Sequence, residues 1–94
     1  MPAVIMNHRV ADFDKWLQVF EQHAALRQAA GMRNATVWQA VGDPNNVSIY
    51  MEGDDLDRMR SFGESDELKQ AMQRAGVISA PQVNLLENER KYQH

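Results

Sequence analysis

The 94-residue sequence has no cysteine, which excludes a disulfide framework, a thiolate nucleophile and cysteine-based zinc or iron–sulfur sites. No apolar run approaches the roughly 20 residues that a membrane-spanning helix needs, so no membrane role is expected. The opening Met1-Pro2-Ala3-Val4-Ile5-Met6 has neither a basic start nor a long apolar stretch, and a cytoplasmic protein is the expectation. Ten Lys plus Arg stand against thirteen Asp plus Glu, a net charge of −3. With no run of five like charges and no basic face in prospect, a nucleic-acid partner is disfavoured. The dinucleotide fingerprint, the P-loop and the hydrolase elbow are all missing. His8, His23 and His94 follow none of the HxH, HxxxH or HxxE spacings, so neither a metal site nor a bound cofactor is expected.

What is present is an ordinary globular composition, 44% apolar and 24% charged, in a length that allows a single domain over residues 1–94 with a modest core. From Ala3 to Val10 the side chains alternate, with Val4, Met6, His8 and Val10 on one parity, the period of a strand. Asp12 is an N-cap candidate for a helix in which Phe13, Trp16, Leu17, Phe20, Ala24 and Arg27 recur every three or four residues up to Gly31. Arg33 to Val41 and Val47 to Glu52 read as two strands, joined through Gly42-Asp43-Pro44-Asn45-Asn46 into an antiparallel hairpin. Asp54-Asp55 caps a short helix carrying Leu56, Met59 and Phe62. Ser65-Asp66-Glu67 starts another, with Leu68, Ala71, Met72 and Ala75 as its apolar stripe before Gly76. Pro81 precedes a last strand with Val83, Leu85 and Leu86, and a polar tail follows.

The order β-α-β-β-α-β defines an α+β class of the ferredoxin-like plan, two helical layers covering one face of a four-stranded antiparallel sheet. The uncovered face is expected to hold Val37, Val41 and either Ile49 or Tyr50. That is too apolar for a bare surface, and pairing with a second copy is the simplest remedy.

Three polar residues fall in apolar surroundings. On a helical wheel His23 and Arg27 turn into the apolar arc of the first helix, four residues apart and stacked along its axis. His8 shares the buried parity of the first strand. If that parity faces the helix, His8, His23, Arg27 and Trp16 converge on one volume, with Trp38 and Tyr50 as aromatic walls. Imidazoles titrating near neutrality beside a fixed cation can move a proton and hold a carboxylate, enolate or phenolate oxygen. The alternatives are structural: hydrogen-bonded core histidines, and an Arg27 that lays its stem on Phe20 or pairs with Asp12, Glu52 or Glu87.

Two runs resemble a known family. His8-x-Val10-x-Asp12-Phe13-x-x-Trp16-x-x-x-Phe20-x-x-His23-x-x-x-Arg27-x-x-x-Gly31, joined by Glu67-Leu68-x-x-Ala71-Met72-x-x-Ala75-Gly76-Val77 before Pro81, is similar to the small dimeric α/β-barrel proteins related to antibiotic biosynthesis monooxygenases. The resemblance spans almost the whole chain. It implies a ferredoxin-like subunit whose bare sheet face pairs with a second copy to form a dimeric α/β barrel. Activities in that group include metal-free and flavin-free oxidation of polyketide-derived phenols, haem degradation, isomerisation and cyclisation. The haem degraders carry an Asn-Arg-apolar triplet where this chain has His8-Arg9-Val10. They also place a haem-ligating histidine on the later helix, whereas Ser65 to Ala75 offers only Gln70 and Gln73, which weighs against haem degradation. The metal-free oxygenases surround their substrate with Asn, Trp, Tyr and Arg, residue types matched here by Trp38, Tyr50 and Arg27.

The function expected is therefore binding of a small molecule by a homodimeric α/β barrel, with cofactor-independent oxygenation or cyclisation of an aromatic, polyketide-like compound. His8 would be the proton acceptor, His23 a second acid/base or orienting group, and Arg27 the partner of a substrate oxygen, with Trp16, Trp38 and Tyr50 shaping the walls. The competing expectation is a homodimer that binds or merely holds its shape, without turnover.

Overall fold

A computed structural model describes all residues, 1–94. Strand β1 (Ala3–Arg9) leads to helices α1 (Phe13–Gln22) and α2 (Ala24–Ala29). The hairpin of β2 (Met32–Ala40) and β3 (Asp43–Gly53) follows, then α3 (Leu56–Gly63), α4 (Asp66–Ala75) and β4 (Gln82–Leu86). The strands form one sheet in the order β2-β3-β1-β4, antiparallel throughout. This is the expected ferredoxin-like α+β arrangement.

Local chemistry sets the boundaries. The Asp12 side chain accepts from the Asp14 and Lys15 amides at the start of α1, Asp55 does the same for α3, and Ser65 caps α4 through the Leu68 amide. Each satisfies orphan donors of a first turn. Helix α4 ends at Gly76, in the left-handed region at φ 79°, where a side chain would be strained.

Alternation along β1 divides the sheet into two faces. Val4, Met6 and His8 point to the helices and are buried, whereas Ile5 and Arg9 point away and are exposed. Cross-strand partners share a face. Met6 stands opposite Ile49 and Ile49 opposite Val37, so Val37 and Ile49 belong to the helix-covered core and not to the open face. Val41 lies outside the strand, in a two-residue turn with Gly42, and is fully exposed. Of Ile49 and Tyr50 it is Tyr50 that lies on the open face, together with Ile5 and Trp38, with Leu86 at its β4 edge.

Two element boundaries also differ from expectation. β3 begins at Asp43, and the turn-forming residues Pro44 to Asn46 are accommodated where the β2–β3 register shifts, an irregularity in which proline's missing N–H costs little. The helix expected to run to Gly31 breaks at His23, whose φ of −98° and ψ of 19° leave the helical region. The imidazole compensates in part, because Nδ1 lies 2.7 Å from the Val19 carbonyl and can cap it.

The core is a single cluster between sheet and helices that includes Val10, Trp16, Val47, Ile49, Met51 and Met59. Gly53 permits one of its close contacts, since a Cβ there would fall 2.7 Å from the Met59 sulfur. No helix is long and apolar enough to cross a membrane.

Candidate small-molecule site

Beneath α1, α2 and α4 the core is incompletely filled. A cavity of about 60 Å³ is bounded by Met6, His8 and Ile49 of the sheet, Trp16 and Phe20 of α1, and residues of the two following helical segments. His23 and Arg27 also line it, as do Leu68, Ala71, Met72 and Ala75 of the α4 stripe. Its walls are otherwise apolar, so its chemistry rests on very few side chains.

His8 is the most unusual of them. It is only 3% exposed, and neither Nδ1 nor Nε2 has a hydrogen-bond partner in the protein. Its ring stands edge-on to Trp16, with centroids 5.6 Å apart. Burial pushes its pKa below the ordinary 6.5, because an apolar surround disfavours the imidazolium. The neutral ring keeps one free acceptor nitrogen and one free donor N–H. Buried polar groups are almost always paired within the fold, and this ring leaves one donor and one acceptor unanswered on the cavity wall.

Arg27 reaches the cavity from α2. Its Nη1 donates to the Phe20 carbonyl at 2.6 Å, a second donor on an oxygen that the His23 amide also reaches at 3.2 Å, and the guanidinium sits 3.7 Å from the centre of the Phe20 ring. Partial burial pulls its pKa down from the usual arginine value, yet an arginine stays charged at neutral pH. It forms no ion pair with Asp12, Glu52, Glu87 or any other carboxylate.

His23 sits at the break between α1 and α2. With Nδ1–H directed at Val19, Nε2 is left as the acceptor, and Arg74 of α4 donates to it from Nη2 at 2.8 Å. Arg74 thus ties the last turn of α4 to the α1–α2 junction. The sequence offered no signal for this, since Arg74 is an exposed helical arginine whose partner lies 51 positions away.

The structure thus brings four of the six expected residues together: His8, Trp16, His23 and Arg27 share the cavity. Trp38 and Tyr50 do not join them. Trp38 pairs with Ser48 and Tyr50 with Ile5 and Thr36, which places both on the open face with the sheet between them and His8. The error lay in the parity of the hairpin, where a one-residue shift exchanges the faces. Phe20, Phe62 and the methionines Met6, Met51 and Met72 supply the walls instead. No three His, Cys, Asp or Glu side chains gather in a metal-binding arrangement.

No family model and no curated protein matches the chain. Solved structures do match in fold. SnoaB, a cofactor-independent oxygenase from Streptomyces nogalater, superposes with a TM-score of 0.77 at 13% identity, covering 99% of this chain and 97% of that one. A monooxygenase of Streptomyces coelicolor, solved with the ligand nanaomycin D, gives a TM-score of 0.68 at 14% identity over 99% and 91% of the two chains. A third structure, an antibiotic biosynthesis monooxygenase, gives 0.72 at 13% identity over 96% and 100%. The chain therefore shares its fold with these solved structures. At such low identity the shared property is the fold.

Proposed function

We propose that this protein binds a small phenolic or enolic molecule between α1 and the sheet and acts on it as a cofactor-independent monooxygenase or cyclase. The observation that carries the reading is the buried, unpartnered His8 imidazole on a cavity that also holds a guanidinium free of carboxylates. A neutral His8 accepts the proton of an acidic O–H or C–H, and Arg27 offsets the charge that develops on the substrate oxygen. His23, fixed by Val19 and Arg74, orients the cavity mouth. In the oxygenase version the substrate anion itself supplies the electrons. A CH₂ attached to the phenolate ring becomes a carbonyl as dioxygen gives one atom to it and the other leaves as water. In the cyclase version the carbanion left by proton transfer attacks a carbonyl carbon of the same molecule, so that a carbon–carbon bond forms as the C=O π bond breaks, and His8 returns its proton to the new alkoxide.

Self-association belongs to the same proposal. Trp38 is 63% exposed and Ile5 40% exposed on the uncovered sheet face, flanking Tyr50, and a second copy of the chain would cover them.

The test is calorimetric titration with phenols and naphthols, together with dioxygen uptake, on the wild type and on His8→Phe and Arg27→Met. Binding by the wild type, lost at least tenfold in both variants, supports the reading. Equal affinity in all three while the variants stay folded overturns it.

A further inference from the structure

The His8 cavity is small for the guest it is proposed to take. An apolar cavity of about 150 Å³ holds a single benzene ring comfortably, and this one measures about 60 Å³. A one-ring ligand therefore enters only if a wall yields. The wall most able to yield separates the cavity from a larger groove of about 320 Å³ beneath α3, bounded on its far side by Val83 and Leu85 of β4. Four residues, Met6, Met51, Phe62 and Leu68, line both spaces. Methionine is unbranched and repacks at little cost. Phe62 is half-buried near the end of α3, a helix anchored to the core through its single buried residue, Met59.

The two spaces differ in chemistry. The inner one holds His8 and the Arg27 guanidinium, whereas the groove is lined mainly by methionine, leucine and valine, with Arg60 and Glu64 at its rim. We propose that they are two chambers of one site, divided by a movable Phe62, and that the ligand has a single hydroxyl or carbonyl head for His8 and a narrow apolar body that extends under α3 to Val83 and Leu85. This rests on the reading of His8 as the group that meets the head, and it adds the shape of the molecule. A compact polycyclic guest fills neither chamber well. A 4-alkylphenol fills both.

Titration with phenol, 4-ethylphenol and 4-butylphenol tests the proposal. Affinity is expected to rise by about fourfold per buried methylene in the wild type. Val83→Glu, an edge-strand change at an exposed position, should flatten the series while leaving phenol itself unaffected. Phe62→Ala should speed the association of phenol and of 4-butylphenol several-fold in stopped-flow mixing, since both need that wall to move; if that variant does not fold, the Val83→Glu arm decides. Trp38→Glu, on the opposite face, should reproduce the wild-type series. Phenol binding with no dependence on chain length, or with a dependence that survives Val83→Glu, overturns the two-chamber site and leaves the proposed function standing. Failure of every compound, phenol included, overturns the proposed function and this inference with it.

Discussion

The His8 imidazole meets the Trp16 indole at 75° between ring planes, and this edge-on contact holds a polar ring in a place where no protein group answers either of its nitrogens. Desolvating such a group without a partner costs on the order of 1–3 kcal/mol. The fold carries this cost at His8, which is why the proposed function rests on that ring.

Replacing that ring by a hydrocarbon of similar size should therefore not weaken the fold. His8→Phe is expected to keep or raise the unfolding free energy by up to about 1 kcal/mol in urea titration at pH 7, while abolishing phenol binding. A loss greater than that would mean His8 is a structural residue.

The same ring should give stability a particular pH dependence. Its folded pKa lies below 6.5 because of burial, so unfolding takes up a proton wherever the unfolded ring is charged and the folded one is not. Stability is then complete above pH 6.5, declines as the pH falls below it, and levels off once the folded ring is also protonated. Thermal melts from pH 8 to 5 should show this decline in the wild type and a shallower one in His8→Phe.

Arg27 has two separable tasks, capping the Phe20 carbonyl and facing the cavity with a positive charge. Arg27→Met keeps the stem on Phe20 but loses both. It should cost about 1 kcal/mol of stability and at least tenfold in affinity for phenolates, with no loss for a neutral methyl ether of the same ring. Calorimetry with the paired ligands separates charge recognition from general loosening.

On the far side of the sheet, Trp38→Glu should leave the circular dichroism spectrum unchanged and convert the protein to monomer at micromolar concentration in sedimentation velocity. A wild type that already sediments as a monomer would remove the case for a sheet-to-sheet dimer.

Much of this molecule was legible in its residues, for reasons that can be named. The first strand alternates cleanly, so the inward direction of His8 followed from Val4 and Met6, and the caps at Asp12, Asp55 and Ser65 are short-range chemistry. His23 and Arg27 reached the cavity as the wheel indicated, even though the helix breaks between them. The faces of the hairpin were harder. β3 does alternate, with Val47, Ile49 and Met51 buried on one parity, but Tyr50 on its other parity is a large aromatic and β2 mixes apolar and polar residues on both, so that only pairing with β3 and β1 decides which side Trp38 takes. Phe62 was legible only as a residue of its short helix, and Arg74 not at all, because their places at the cavity and at His23 depend on packing between helices far apart in the chain, which local periodicity does not encode.

The two tryptophans now sit on opposite sides of one sheet, the first against the cavity and the second in the open. Each therefore has its own optical surroundings. Emission from Trp16 should respond to an aromatic guest and stay dark to a collisional quencher, while emission from Trp38 should shift blue only when another subunit covers it. A pair of single-tryptophan chains would then record occupancy and assembly as two separate signals, with no label added.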